Sequence, residues 1–226
     1  MPSQIAPILI AFLVGSIPFG VLVGRLRGVD IRAQGSGNIG ATNALRVMGW
    51  KAGLLVLLLD ISKGLAPVLL VRHFIGADAV TTAGTGVAAV LGHCFSPFLG
   101  LSGGKGVATA LGMILAVDWR VGLIALGAFV ILTGTTRFVS LGSVVVAGTL
   151  WVISLALGEP MPVTLGFALV GAVVILRHHA NIGRLLAGTE NKLGSKKREA
   201  SAGETVVAGE TPAPRDASPR DGEVNE

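Results

Sequence analysis

Apolar runs long enough to cross a bilayer recur along this chain, and they leave few folds open to it. A helix needs about 20 predominantly apolar residues to cross roughly 30 Å of hydrocarbon. Residues 5–23 meet that need without a single charge. With neither a basic segment before it nor a small-residue cleavage site after it, this run reads as a retained span. Further spans are predicted at about 52–71, 79–91, 107–117, 121–136, 139–157 and 163–176, the fourth of them short. Only 14% of the residues are charged, against about 25% in a soluble domain. The 33 glycines suit helices that approach closely in a membrane. The expected fold is therefore all-α: a polytopic integral membrane bundle of about seven transmembrane helices.

Positive charge orients the bundle. If all seven runs cross, 13 lysines and arginines fall on one side, and only Arg72 and Arg120 on the other. The positive-inside rule then puts the N-terminus outside and the C-terminus in the cytoplasm. Residues 1–192 form the membrane-embedded part. Residues 193–226 are slightly acidic, rich in Ala, Gly, Glu and Pro, and read as a disordered cytoplasmic tail. The net charge of +5 does not imply nucleic acid, because the basic residues have no interleaved aromatic platform. A lone cysteine, Cys94, excludes an internal disulfide and any multi-cysteine metal site.

Three polar stretches fall on the predicted cytoplasmic side. The first runs from Gln34 to Arg46, with Ser36, Gly37, Asn38, Thr42 and Asn43 between them. Its glycines let peptide N–H groups approach an anion, and Arg46 offers a planar fork for phosphate oxygens. The second carries Gly103, Gly104, Lys105 and Gly106 at the predicted start of a helix, a second anion-binding arrangement. It is not a Walker loop, because Gly follows the lysine where that motif needs Ser or Thr. In the third, Arg177 to Lys192, His178 and Asn181 stand at the i, i+3 spacing of one helix face. Glu190 is expected to pair with a nearby base.

Neither a Ser-His-Asp set nor paired carboxylates can be assembled, and the histidines lack carboxylates at metal-ligand spacing. Cys94 reads as packing, and Asp60 with Lys63, at i, i+3 inside a span, as a mutual salt bridge. No metal or cofactor is expected. The pattern describes two cytoplasmic anion sites on a membrane scaffold. Such a scaffold could serve an enzyme acting on an activated anionic substrate, a transporter of phosphorylated metabolites, or a headgroup-binding membrane protein.

All three stretches resemble the bacterial membrane acyl-phosphate:glycerol-3-phosphate acyltransferase family. The resemblance is carried by Ser36-Gly-Asn-Ile-Gly-Ala-Thr-Asn43 with Arg46, by Gly92-His-Cys-Phe-Ser-Pro-Phe98 with Gly103-Gly-Lys-Gly-Val-Ala-Thr109, and by His178-His-Ala-Asn181 ending in Gly188-Thr-Glu190. It covers about residues 5–192 in the family's order. It implies transfer of a fatty acyl group from acyl phosphate to the 1-hydroxyl of sn-glycerol 3-phosphate, giving lysophosphatidate and phosphate at the bacterial inner membrane. By that resemblance Ser36, Gly37 and Asn38 hold the acyl-phosphate head. Arg46 and Lys105 grip glycerol 3-phosphate with Thr42, His178 and Asn181. Gly103 and Gly104 supply backbone donors, and Ser143 is a further substrate contact. The proton acceptor is either His178 or a substrate phosphate.

Overall fold

Where these helices break or touch is decided by proline and glycine. The computed structural model describes residues 2–194. The expected tail lies, from residue 195 onward, outside the described residues. Helix α1 (Pro2–Gly15) stops ahead of Pro18, and α2 (Phe19–Leu26) resumes the same crossing. Proline cannot donate to the preceding turn, so carbonyls are left over at the break. Ser96 Oγ donates to Ser16 O at 2.7 Å, and Lys63 Nζ donates to Ile17 O at 2.9 Å.

Next come α3 (Ala41–Met48) and α4 (Trp50–Leu70), the latter extended by a wide turn over Val71–Ile75. Helix α5 (Ala79–Cys94) is the most enclosed of the long helices. A short turn at Pro97–Leu99 and a glycine loop lead to α6 (Val107–Val117). Helices α7 (Trp119–Thr136), α8 (Val139–Ala156) and α9 (Met161–Arg177) complete the bundle. Helix α10 (His179–Leu186) turns away from α9 by 60°.

Every predicted span is thus helical. Five are long and apolar enough to cross a membrane, and a sixth is if α9 and α10 count as one bent span. Helix α6 has only 11 residues, about 16 Å. The reason lies in its packing: Thr109, its third residue, touches Gly64 in the middle of the Trp50–Ile75 span. Helix α6 therefore begins inside the bundle, and the glycine loop that precedes it is recessed. Its far end is closed by Arg72, which donates to the carbonyls of Ala116 and Val117.

Small residues set the closest approaches. A Cβ on Gly64 would lie 2.0 Å from Thr109 O, and one on Gly112 2.0 Å from Ile61 O. The α1–α5 contact repeats this with Gly15 against Ala89 O (2.0 Å) and Gly92 against Phe12 O (2.1 Å). Between lipid-like surfaces, where water supplies little drive for association, such close backbone packing holds helices together. The bundle's exterior is correspondingly apolar: Leu123, Val130 and Ile131 of α7 are 52%, 58% and 66% exposed.

Buried charge is confined and paired. Lys63 Nζ lies 2.7 Å from Asp60 Oδ1, as the spacing predicted, and His93 Nδ1 lies 3.7 Å from the same oxygen. Helix α5 runs on through His93 and Cys94, beyond the end expected at residue 91, and carries His93 to face Asp60. Cys94 is fully buried in the main apolar cluster, in keeping with a packing role.

The connection from Gln34 to Arg46 is built around Asn43, which is only 2% exposed. Its Oδ1 accepts from Ser36 N at 2.9 Å, while its Nδ2 donates to the carbonyls of Ile31 and Gln34, both at 3.1 Å. Gly35 sits at φ +64°, where a Cβ would come 2.2 Å from Asn43 Oδ1. The second half of this connection is α3, and Asn43 satisfies the turn that leads into it.

Gly64→Ala forces α4 and α6 apart and lowers the thermal unfolding midpoint in detergent. Gly127→Ala, where nothing lies within 4 Å of an added Cβ, leaves the midpoint unchanged or raises it. Asn43→Asp keeps the acceptor but turns two donations into repulsions, costing about 1–3 kcal/mol of stability in a denaturant titration.

Candidate active site

The recessed glycine loop, α3 and the α9–α10 break converge on one cavity of about 460 Å³. Its polar end is lined by Ser36, Asn38, Thr42, Arg46, Lys105, Ser143, His178 and Asn181. Eight of the eleven residues singled out from sequence therefore face a common space. Gly37 and Gly103 line only an adjoining polar cavity of about 180 Å³, which shares Ser36, Asn38, Lys105, Asn181 and Arg184 with the first. Gly104 lines neither; it is buried against the His93 ring. The larger cavity continues into an apolar portion between α6, α7 and α8, walled by Leu111, Ile114, Leu126, Phe129, Val146 and Leu150.

A hydrogen-bonded chain organises the polar end. Lys105 Nζ donates to Asn181 Oδ1, and Asn181 Nδ2 donates to Glu190 Oε1 at 2.6 Å. Ser140 Oγ donates to the same oxygen at 2.9 Å, and Arg184 Nε to Glu190 Oε2 at 2.7 Å. Glu190 thus gathers donors from three different residues. Burial opposes its charge, but the bonds from Asn181, Ser140 and Arg184 outweigh that cost and hold its pKa below the usual glutamate value. Arg46 keeps one long contact, 3.5 Å to Asn43 Oδ1.

Lys105 is pulled the other way. Burial lowers its pKa from 10.5 to about 8; Glu190 resists the shift, while Arg184, Arg46 and Arg177 add to it. A cation held among cations and partly stripped of water is a strong anion receptor. Beside it, α6 starts from Gly106 in a left-handed conformation without a side-chain cap. The uncapped amides of that first turn add a positive helix end to the site.

His178 does not share a helix face with Asn181 as the spacing suggested. It occupies the break, where α9 ends and α10 begins, while Asn181 lies within α10. The 60° turn swings α10 across the cavity so that both side chains reach it. His178 Nδ1 lies 2.7 Å from Val174 O. A carbonyl only accepts, so Nδ1 carries the proton and Nε2 is the acceptor. Among the described residues, no three His, Cys, Asp or Glu side chains come together as a metal-ligand group.

Several contributors escaped the sequence reading. Ser140 shows no local signal, because it acts through a residue fifty positions away. Arg177 looked like an ordinary positive-inside residue. Leu193 N donates to Arg137 O at 2.7 Å and Arg137 Nη2 to Leu193 O at 2.9 Å, which tethers the segment carrying Glu190 to the α7–α8 turn.

Comparison with known proteins bears on this arrangement. The profile of the glycerol-3-phosphate acyltransferase family matches residues 5–188. A glycerol-3-phosphate acyltransferase of Geobacter sulfurreducens is 50% identical over 184 residues, covering 81% of this chain and 94% of that protein. One from Aquifex aeolicus is 42% identical over 185 residues, covering 82% and 96%. A crystal structure of PlsY, an integral membrane glycerol 3-phosphate acyltransferase in its glycerol 3-phosphate form, superposes with a TM-score of 0.82 at 41% identity. The match covers 85% of this chain and 96% of that one; the lysophosphatidic acid form gives a TM-score of 0.80. With its three polar stretches gathered on one cavity and nearly the whole membrane bundle matched, the chain belongs to the glycerol-3-phosphate acyltransferase family.

Proposed function

We propose that residues 1–192 transfer a fatty acyl group from acyl phosphate to the 1-hydroxyl of glycerol 3-phosphate, on the cytoplasmic face of the bacterial inner membrane. The observation that carries this reading is the single cavity with a cationic end and an apolar end. An acyl phosphate has both characters, and the apolar portion between α6, α7 and α8 receives its chain. Transport of phosphorylated metabolites, the other function the sequence allowed, has no use for that apolar extension.

In this reading Arg46 and Lys105 hold glycerol 3-phosphate with Thr42, Ser143 and Asn181. Ser36, Gly37 and Asn38 receive the acyl-phosphate head; the backbone donors expected of Gly103 and Gly104 are spent instead on the Cys94 and His93 carbonyls. The hydroxyl oxygen attacks the acyl carbon, the carbon–oxygen bond to phosphate breaks, and phosphate leaves with the bonding pair. The hydroxyl proton goes to an acceptor, for which His178 Nε2 is this chain's own group. A mixed anhydride already has a good leaving group, so positioning and charge stabilisation suffice without a covalent intermediate on the protein. Asn181 acts twice, holding Lys105 and passing the restraint to Glu190.

Purified protein incubated with acyl phosphate and radiolabelled glycerol 3-phosphate should form lysophosphatidate. Protein-dependent uptake into vesicles without acylation would reject the assignment. Arg46→Ala should lower kcat/KM by about 100-fold or more with the fold intact by thermal unfolding. The pH profile is a second check. Only protonated Lys105 grips phosphate, so KM for glycerol 3-phosphate should rise above pH 8, by about tenfold per pH unit. Lys105→Arg, which stays charged in that range, should flatten the rise.

A further inference from the structure

The geometry points to Arg177 as a positioning residue that holds the Gly103–Gly104 backbone and so aims Lys105, an inference that rests on the acyltransferase reading above. Arg177 ends α9, one residue before His178 and four before Asn181. Its Nε donates to Gly104 O at 3.0 Å and its Nη2 to Gly103 O at 2.7 Å. A planar fork that spans two successive carbonyls fixes both peptide planes at once, which a single-point donor cannot do. The guanidinium rests over the Phe95 ring, 5.6 Å from its centroid, which fixes its own direction.

The opposite edges of those peptides are held as well. Gly103 N donates to Cys94 O at 3.1 Å and Gly104 N to His93 O at 3.0 Å. Four hydrogen bonds thus clamp two residues between the end of α5 and the end of α9. No side chain fits in the clamp: a Cβ on Gly103 would lie 2.0 Å from His93 O, and one on Gly104 2.1 Å from His93 Nε2. The peptide is planar and trans, so fixing Gly104 O toward Arg177 turns the Lys105 N–H the opposite way. From the clamp so fixed, Lys105 extends Nζ to Asn181 Oδ1.

Arg177 also lines the smaller cavity, so the competing role is direct phosphate binding. Its Nε and Nη2 are committed to carbonyls, which argues for the clamp. The role is tested with Arg177→Met and Arg177→Lys in detergent, each checked for folding by its thermal unfolding midpoint. Hydrogen exchange of the segment 95–106 should accelerate about tenfold or more at Gly103 and Gly104 in Arg177→Met. Arg177→Lys should fall between, since one ammonium cannot span both carbonyls; it decides the matter if the methionine variant does not fold. Steady-state kinetics give the second readout. Arg177→Met should cost about tenfold or more in kcat/KM in the native background but less than about threefold in a Lys105→Ala background, because both changes remove the same interaction. Unchanged exchange, or equal losses in the two backgrounds, overturns the inference and makes Arg177 a phosphate ligand. A Lys105→Ala variant with full activity would instead sink the acyltransferase site assignment, while the exchange result would still decide whether Arg177 holds the loop.

Discussion

Inside hydrocarbon every backbone polar group needs a partner from the protein itself, and an unmet one costs several kcal/mol. Among the described residues this bundle is interrupted at Pro18, at the glycine loop, at the far end of α6 and at His178. Each break has a specific donor or acceptor. Lys63 and Ser96 serve the carbonyls before Pro18. Arg72 serves the end of α6, Arg177 the glycine loop, and the His178 ring itself the carbonyl of Val174 at the last break. These breaks are also what make a site. A cavity for a charged headgroup requires backbone turned out of the helix, and backbone turned out of the helix requires these partners.

Charge in the site follows from the same economy of partners. Arg46, Lys105 and Arg184 line the same cavity as the half-buried carboxylate Glu190, which alone cannot neutralise them, while Asp60 is already paired with Lys63. The surplus positive charge is what a phosphate would balance. Glu190 is better placed to organise than to neutralise, because both its oxygens already accept from Asn181, Ser140 and Arg184. The pKa of Lys105 is lowered chiefly by burial, and the neighbouring Arg184, Arg46 and Arg177 add to the shift. An anion bound beside it would raise that pKa again, so substrate and proton bind to Lys105 cooperatively.

Much of this was legible in the sequence because it is written in local patterns. Apolar run length located the apolar helices, and i, i+3 spacing located the Asp60–Lys63 pair. Glycine next to lysine ahead of an apolar run located the recessed loop. What escaped was non-local. Ser140 meets Glu190 across the bundle, and Arg177 reaches back seventy-four positions to Gly103. The depth of α6 was legible only as a span that looked too short. The i, i+3 rule failed at His178 for a physical reason: it assumes an unbroken helix, and here the chain turns by 60°.

Arginine is used in two ways in this site, and the difference bears on how the fold reconciles rigidity with turnover. Arg177 is tied to two carbonyls and stacked on Phe95, an immobile use of the side chain. Arg46 has a single contact at 3.5 Å, to a residue that already anchors the loop. Its fork therefore remains available to oxygens that come and go. Lys105 stands between these extremes, fixed at its backbone by the clamp but attached at its head by one neutral amide. A phosphate approaching the cavity can displace an amide from an ammonium at small cost, whereas unmaking the Arg177 clamp would expose two carbonyls without partners. The same residue type thus provides a fixed support in one place and an exchangeable grip in another, and which it does is set by whether a carbonyl or a substrate satisfies it.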